Sequence, residues 1–177
     1  MMYILCILLG LGTLALDQWV KWWTVNAFAA PAVGFNATAD PAQSLLPGVV
    51  ELTRVHNYGA AWSSFSGMRW VLVVVTSLIV LAAAFVLIRG IVRHPLGVVA
   101  GCLIISGGLG NIIDRVRLGY VVDMFHFVFW PSYPVFNVAD ICVICGVILA
   151  AIYYLWFYEK HDKRGGTDGT ADPADNA

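Results

Sequence analysis

The sequence is short of charge. Only 12% of its 177 residues are Asp, Glu, Lys or Arg, against 60% apolar, where a soluble domain is typically about a quarter charged. So few charges cannot cover the surface of a water-soluble fold of this size. The ten basic and eleven acidic side chains nearly cancel, and there is no basic stripe of the kind that tracks nucleic acid. No His-Glu-x-x-His and no Gly-x-Ser-x-Gly occurs, so the signatures of zinc peptidases and of many serine hydrolases are missing. His56, His94, His126 and His161 are scattered; no metal site and no cofactor is expected. The cysteines, Cys6, Cys102, Cys142 and Cys145, lie inside apolar runs. Cys142-x-x-Cys145 has neither a second pair nor a thioredoxin-like context, and it reads as small-hydrophobe packing.

What the chain does have is long apolar runs. Val71–Ile88 and Ile141–Tyr158 are each 18 residues long with almost no polar interruption, about the length that lets a helix cross a bilayer. Four spans are predicted: Met2–Trp23, Trp70–Ile88, Leu96–Ile113 and Val135–Tyr158. The first competes with a removable signal peptide, since Ala27-Phe28-Ala29 has a small-x-small pattern. No Lys or Arg precedes that run, however, and the pattern lies beyond Asp17 and Lys21. It is read as a retained span with Trp19, Trp22 and Trp23 as its interfacial belt.

A tight turn, Arg89–Pro95, joins the second and third spans, and longer connections cover 24–69 and 114–134. Gly97-x-x-x-Gly101 and Ser106-x-x-x-Gly110 suit close helix approach. Residues 1–158 are expected to form one membrane-embedded domain, followed by a polar tail, 159–177, expected to be disordered. Arg89, Arg93, Lys160, Lys163 and Arg164 crowd the turn and tail, whereas Lys21, Arg54, Arg69, Arg115 and Arg117 are spread thinly on the other side. The positive-inside rule then makes both termini cytoplasmic and both long connections external. Within the first of these, Val49–Asn57 is rich in β-formers and reads as a short strand, and Gly59–Phe65 suits the membrane interface. Segment 29–46 has no assigned role.

Ionisable residues in or beside a span are costly, and by default they mark function. Three clusters stand out. Asp17 and Lys21, four apart, share a helix face and form at least an i,i+4 ion pair. Asn111, Asp114 and Arg115 share a face at the outer end of the third span, just after Gly107, Gly108 and Gly110. These glycines leave room for another backbone or a substrate; a polar helix end is the plainer reading. Asp123 lies in the apolar and aromatic stretch Val121–Trp130, and Asn137 and Asp140 open the fourth span after Pro131 and Pro134. Asn137 as N-cap with Asp140 in the first turn accounts for those two residues locally. Yet two acids flanking one short outer segment can also be brought together by it.

Paired carboxylates at close range cannot both ionise, so they share a proton. One can activate a water while its protonated partner polarises a carbonyl and later protonates a leaving amine. Amide hydrolysis at the membrane fits this apparatus without a metal.

In chain order the polar motifs are Asp17-Gln18-x-x-Lys21, Asn57-Tyr58-Gly59-Ala60-Ala61-Trp62-Ser63, Gly107-Gly108-x-Gly110-Asn111-x-x-Asp114-Arg115, Val122-Asp123 and Phe136-Asn137-x-Ala139-Asp140. The chain closely resembles the bacterial lipoprotein signal peptidases (signal peptidase II), four-span intramembrane aspartyl proteases, from Met2 to about Tyr158. Trp62 departs from the family's usual Phe but keeps an aromatic, and segment 29–46 is longer than expected. The resemblance implies a four-helix membrane bundle with a small extracytoplasmic β-cradle, in the bacterial cytoplasmic (inner) membrane. It implies Asp123 and Asp140 as the catalytic dyad, with Asn57, Asn111, Arg115 and Asn137 holding substrate or dyad. Asp17, Lys21 and Asp114 are then structural polar residues. Expected partners are diacylglyceryl-modified prolipoproteins, cut just before the lipidated cysteine, membrane lipids and globomycin-type inhibitors.

The rival reading is a proton-coupled transporter or channel, which also places acids and amides in a bundle. It needs them along a path through the membrane, whereas here they crowd at one face. Intramembrane proteases of the presenilin and prepilin-peptidase kinds resemble one another in a Gly-x-Gly-Asp motif, which is absent here.

Overall fold

The computed structural model describes residues 2–31, 42–60, 64–158 and 161–162. Segment 32–41, the motif residues Ala61, Trp62 and Ser63, and nearly all of the tail from Glu159 lie outside the described residues, and with them the expectation of a disordered tail. The element order is α1 (Met2–Ala27), β1 (Gln43–Leu46), β2 (Val50–Asn57), α2 (Arg69–Ile88), α3 (Pro95–Arg117), β3 (Val121–Phe127) and α4 (Val138–Trp156).

Each of these helices is long and apolar enough to cross a bilayer, with mean hydropathy from 1.5 in α1 to 3.1 in α2. Their outward faces carry Leu8, Leu81, Phe85 and Leu155, all more than half exposed. In water such a surface is an aggregation hazard; against lipid tails it is matched, and the helical backbone satisfies its own polar groups. The chain is a multi-pass membrane protein. Trp19 and Trp22 face outward as an interfacial belt requires, but Trp23 turns inward, edge-on to Phe28 at 5.8 Å.

The helix ends follow local chemistry. Pro95, with its fixed φ, opens α3 behind His94, whose Nδ1 accepts the N–H of Leu96 at 3.3 Å. At the other end Gly119 takes φ +90°, a left-handed value that suits glycine, and its N–H reaches Arg115 O. α3 therefore continues to Arg117, four residues past the expected end, so Asp114 and Arg115 sit on its last turn rather than in a loop. α4 begins at Val138 rather than Val135, because Asn137 is its cap.

α3 is the central helix and packs against α1, α2 and α4. Its glycines serve that packing rather than a substrate. A Cβ on Gly107 would strike Ala139 O of α4, one on Gly108 would meet Val80 of α2 at 2.5 Å, and one on Gly110 would meet Asp17 Oδ2 of α1 at 2.5 Å. Ser106 accepts from Thr13 of α1 at 2.9 Å.

Over one end of the bundle lies a three-stranded antiparallel sheet, β1-β2-β3. The expected strand is β2. The pattern of Gln43–Leu46 and of Val121–Phe127 does not mark these as strands, and β3 divides the connection between α3 and α4. Leu52, Val122 and Met124 of the sheet pack on Phe28 beyond α1. Arg54 donates to Val25 O at 3.1 Å and Phe28 O at 3.2 Å, tying the sheet to carbonyls at the end of α1.

Candidate active site

Buried polar side chains gather where the helices meet the sheet: Asp17 and Lys21 of α1, Asp114 and Arg115 of α3, Asp123 of β3 and the α4 cap Asn137. The registered pair Val55–Asp123 puts Asn57 of β2 within reach of Asp123, and the α4 cap brings Asp140 to the same place.

Each oxygen of Asp123 and Asp140 accepts one N–H. Asp123 takes Asn137 Nδ2 at 2.6 Å and Asn57 Nδ2 at 3.0 Å. Asp140 takes Asn111 Nδ2 at 2.8 Å and the backbone N–H of Asn137 at 3.1 Å. Carboxylate oxygens have further acceptor capacity, so both groups remain able to meet a water or a proton.

The amides cannot turn round freely, because each has a donor on its own oxygen. Asn57 Oδ1 accepts Gly59 N–H at 2.9 Å, and Asn137 Oδ1 accepts Asp140 N–H at 2.9 Å. Asn111 Oδ1 accepts Lys21 Nζ at 3.0 Å and Asn137 Nδ2 at 3.1 Å. Arg115 donates to Gly59 O at 2.8 Å, which holds the loop after β2 against α3.

Asp123, on the sheet, has its pKa pushed up to about 8. Burial is the main cause and the nearby Asp140 charge the second, against the opposing bonds from Asn57 and Asn137. Burial and the neighbouring acid thus both favour a protonated carboxyl at this position.

Behind this pair, Lys21 Nζ lies 2.9 Å from Asp17 Oδ2 and 3.1 Å from Asp114 Oδ2. The i,i+4 pair expected from the sequence is there, and the same ammonium also pairs with Asp114. Asp17 Oδ1 accepts Ala139 N–H at 2.9 Å and Asp114 Oδ2 accepts Val122 N–H at 3.1 Å, so both acids also fix backbone next to the site. Gln18 joins Asp17, Asp114 and Gly110 O. In the sequence its place beside Asp17 is the only signal of that role.

A cavity of about 350 Å³ opens on Asp123, Asp140, Asn57, Asn111 and Arg115 and continues along apolar α2, α3 and α4 residues such as Leu72, Ile104 and Val143. Thr76, also on its wall, is one of two hydroxyls in an otherwise apolar stretch, and no motif in the sequence marks it.

Fold and site thus define a polytopic membrane protein with a carboxylate–amide centre at one end of its bundle. A family model described as Signal peptidase (SPase) II matches residues 9–156. The chain is similar to the lipoprotein signal peptidase of Streptococcus thermophilus, 40% identical over 150 residues that cover 85% of this chain and 91% of that protein. It is 41% identical to that of Streptococcus pyogenes, covering 83% and 90%, and 37% identical to that of Enterococcus faecalis, covering 85% and 86%. A bacterial membrane enzyme solved by the in meso method superposes with TM-score 0.75 at 27% identity, covering 94% of this chain and 92% of that one. A second such structure gives 0.73 at 29%, covering 86% and 93%. The chain belongs to the signal peptidase II family and is a peptidase, which sets the transporter reading aside.

Proposed function

We propose that this chain is an intramembrane aspartyl endopeptidase that removes the signal peptide from diacylglyceryl-modified prolipoproteins, cutting before the lipidated cysteine. One observation carries the reading: Asp123 and Asp140 face one cavity, held by locked amides, and the same cavity continues along apolar residues of α2, α3 and α4. The apolar part suits a lipid-bearing substrate, and the polar part suits its peptide.

The dyad holds one proton. The ionised carboxyl takes a proton from water as the water oxygen bonds to the scissile carbonyl carbon; the protonated carboxyl donates toward the carbonyl oxygen. The tetrahedral intermediate then collapses, the C–N bond breaks, and the amine of the lipidated cysteine leaves with a proton from the dyad. Asn57 and Arg115, on the cavity wall, are placed to hold substrate backbone. Globomycin-type inhibitors would compete for the same cavity.

The dyad faces the extracytoplasmic side and both termini are cytoplasmic. Burial supports this orientation: Lys21, Arg54 and Arg115 are buried and engaged. They therefore do not count as surface charge, which leaves the basic turn and tail as the denser side.

The test is cleavage by the purified full-length chain. A lipidated preprotein should be shortened and its unlipidated form left intact. Equal cleavage of both would overturn the proposed specificity, and cleavage of neither would overturn the activity.

A further inference from the structure

We propose that Lys21 is a positioning residue of the peptidase site: it holds the Asn111 carboxamide in the orientation that donates to Asp140, and so keeps the dyad's proton on the substrate side. The inference rests on Asp123 and Asp140 being the catalytic pair.

The three amides around the dyad differ in how they are locked. Asn57 and Asn137 are held by backbone N–H groups close in sequence, Gly59 and Asp140. Asn111 is held by a side chain of another helix, with Lys21 Nζ 3.0 Å from its oxygen. An ammonium has donors and no acceptor. Turned round, Asn111 would aim its NH₂ at Lys21 and at the NH₂ of Asn137, and its oxygen at the Asp140 carboxyl.

Without Lys21 the charged donor is gone and only the Asn137 NH₂ opposes that turn. Asn111 could turn its oxygen to Asp140 and accept the shared proton on the side away from the cavity, where no substrate can use it. With Lys21 in place, the Asp140 oxygen facing Asn111 always meets a donor, and the proton must lie toward the cavity. The charged groups concerned are Asp17 and Asp114 around Lys21, and Asp123, Asp140 and Arg115 around the dyad. Lys21 is 3% exposed and already satisfied by three acceptors, so it acts through Asn111 rather than on substrate.

The experiment compares Asp17→Asn with the double variant Lys21→Met/Asp17→Asn, which leaves no lone acid at position 17, using the full chain and a lipidated preprotein. The double variant should melt lower than its parent, because buried Asp114 loses its ammonium partner, but where folded it should show kcat lower by about tenfold or more, with KM unchanged within about twofold. Both limbs of its pH–rate profile should move to higher pH, because a positive charge near two carboxyls is gone. A folded double variant with the parent's kcat and pH profile overturns the inference. If it does not fold, Lys21→Gln in the same background retains an N–H for Asn111 without the charge; its pH profile should still move to higher pH while its kcat stays within about threefold of the parent's, and a kcat about tenfold down despite the retained N–H overturns the proposal. Asp123→Asn and Asp140→Asn, assayed alongside, separate the two claims. Turnover by either overturns the dyad itself, whereas their inactivity beside a parental Lys21 variant overturns only the role of Lys21.

Discussion

Asn137 and Asp140 cap each other. The Asn137 oxygen accepts the Asp140 N–H at 2.9 Å, and Asp140 Oδ2 accepts the Asn137 N–H at 3.1 Å. This capping box starts α4. It also aims the Asp140 carboxyl at the cavity and turns Asn137 Nδ2 toward Asp123. Helix cap and site ligand, which the sequence presents as competing roles for this pair, are one set of bonds.

Replacing either dyad acid by Asn should remove cleavage while leaving the fold. Asn keeps the size of Asp but cannot share a proton, so Asp123→Asn and Asp140→Asn should each lower turnover by roughly 10²- to 10⁴-fold or more. In each, the new NH₂ faces an N–H that formerly met an oxygen, for a stability loss of about 1–2 kcal/mol. A gel-shift assay on a lipidated preprotein, with a melting curve for each variant, reads both effects. Substantial turnover in either folded variant refutes the aspartyl mechanism.

Asp17 should behave as a stability residue. Asp17→Asn can keep the bond to Ala139 N–H, but its NH₂ then meets the Lys21 ammonium across a 2.9 Å contact in a fully buried setting. Breaking such a pair costs roughly 3 kcal/mol, at the low end of its range because Lys21 keeps Asp114. A clear drop in melting temperature with turnover retained is expected. Unchanged melting with lost turnover would move Asp17 into the site.

The spans were legible because lipid-facing helices need a run of apolar residues whatever they pack against. The acids were legible because a carboxylate beside a span has few bland explanations. What stayed hidden depends on contacts distant in sequence. Nothing near Asp114 points to Lys21, 93 positions earlier. β3 was hidden because Val121–Phe127 carries apolar residues on both faces, one against Phe28 and the other toward the cavity, so no alternation marks it. The glycines of α3 were legible as close-approach sites, though not which helix each one meets.

Topology gives a separate check. Arg93 lies in the turn between α2 and α3 and Asn57 at the end of β2, at opposite ends of the bundle. Single cysteines placed after each, in a chain whose own cysteines are replaced, should be labelled from opposite sides, Arg93 from the cytoplasm. Labelling of both from one side would contradict the four-span arrangement, and the reverse order would contradict its orientation.

The raised pKa of Asp123 predicts how stability depends on pH. Its value near 8 in the fold, against about 3.9 in an unfolded chain, means that between those limits the folded state holds a proton the unfolded state has lost. Stability from this group is therefore complete below about pH 4 and declines as pH rises toward about 8. His56 runs the other way. Burial, then the Arg54 charge, lowers its pKa to about 4 from 6.5, so its stability contribution is present above pH 6.5 and is lost as pH falls through about 4. Above about pH 6.5 the His56 contribution is flat, and the remaining slope belongs to the dyad. Wild-type melting temperature should fall between about pH 6.5 and about pH 8, and the fall should be smaller in Asp123→Asn, which cannot titrate there. Parallel curves for the two proteins would mean that Asp123 is ionised throughout, and the shared proton on which the proposed chemistry depends would be lost with it.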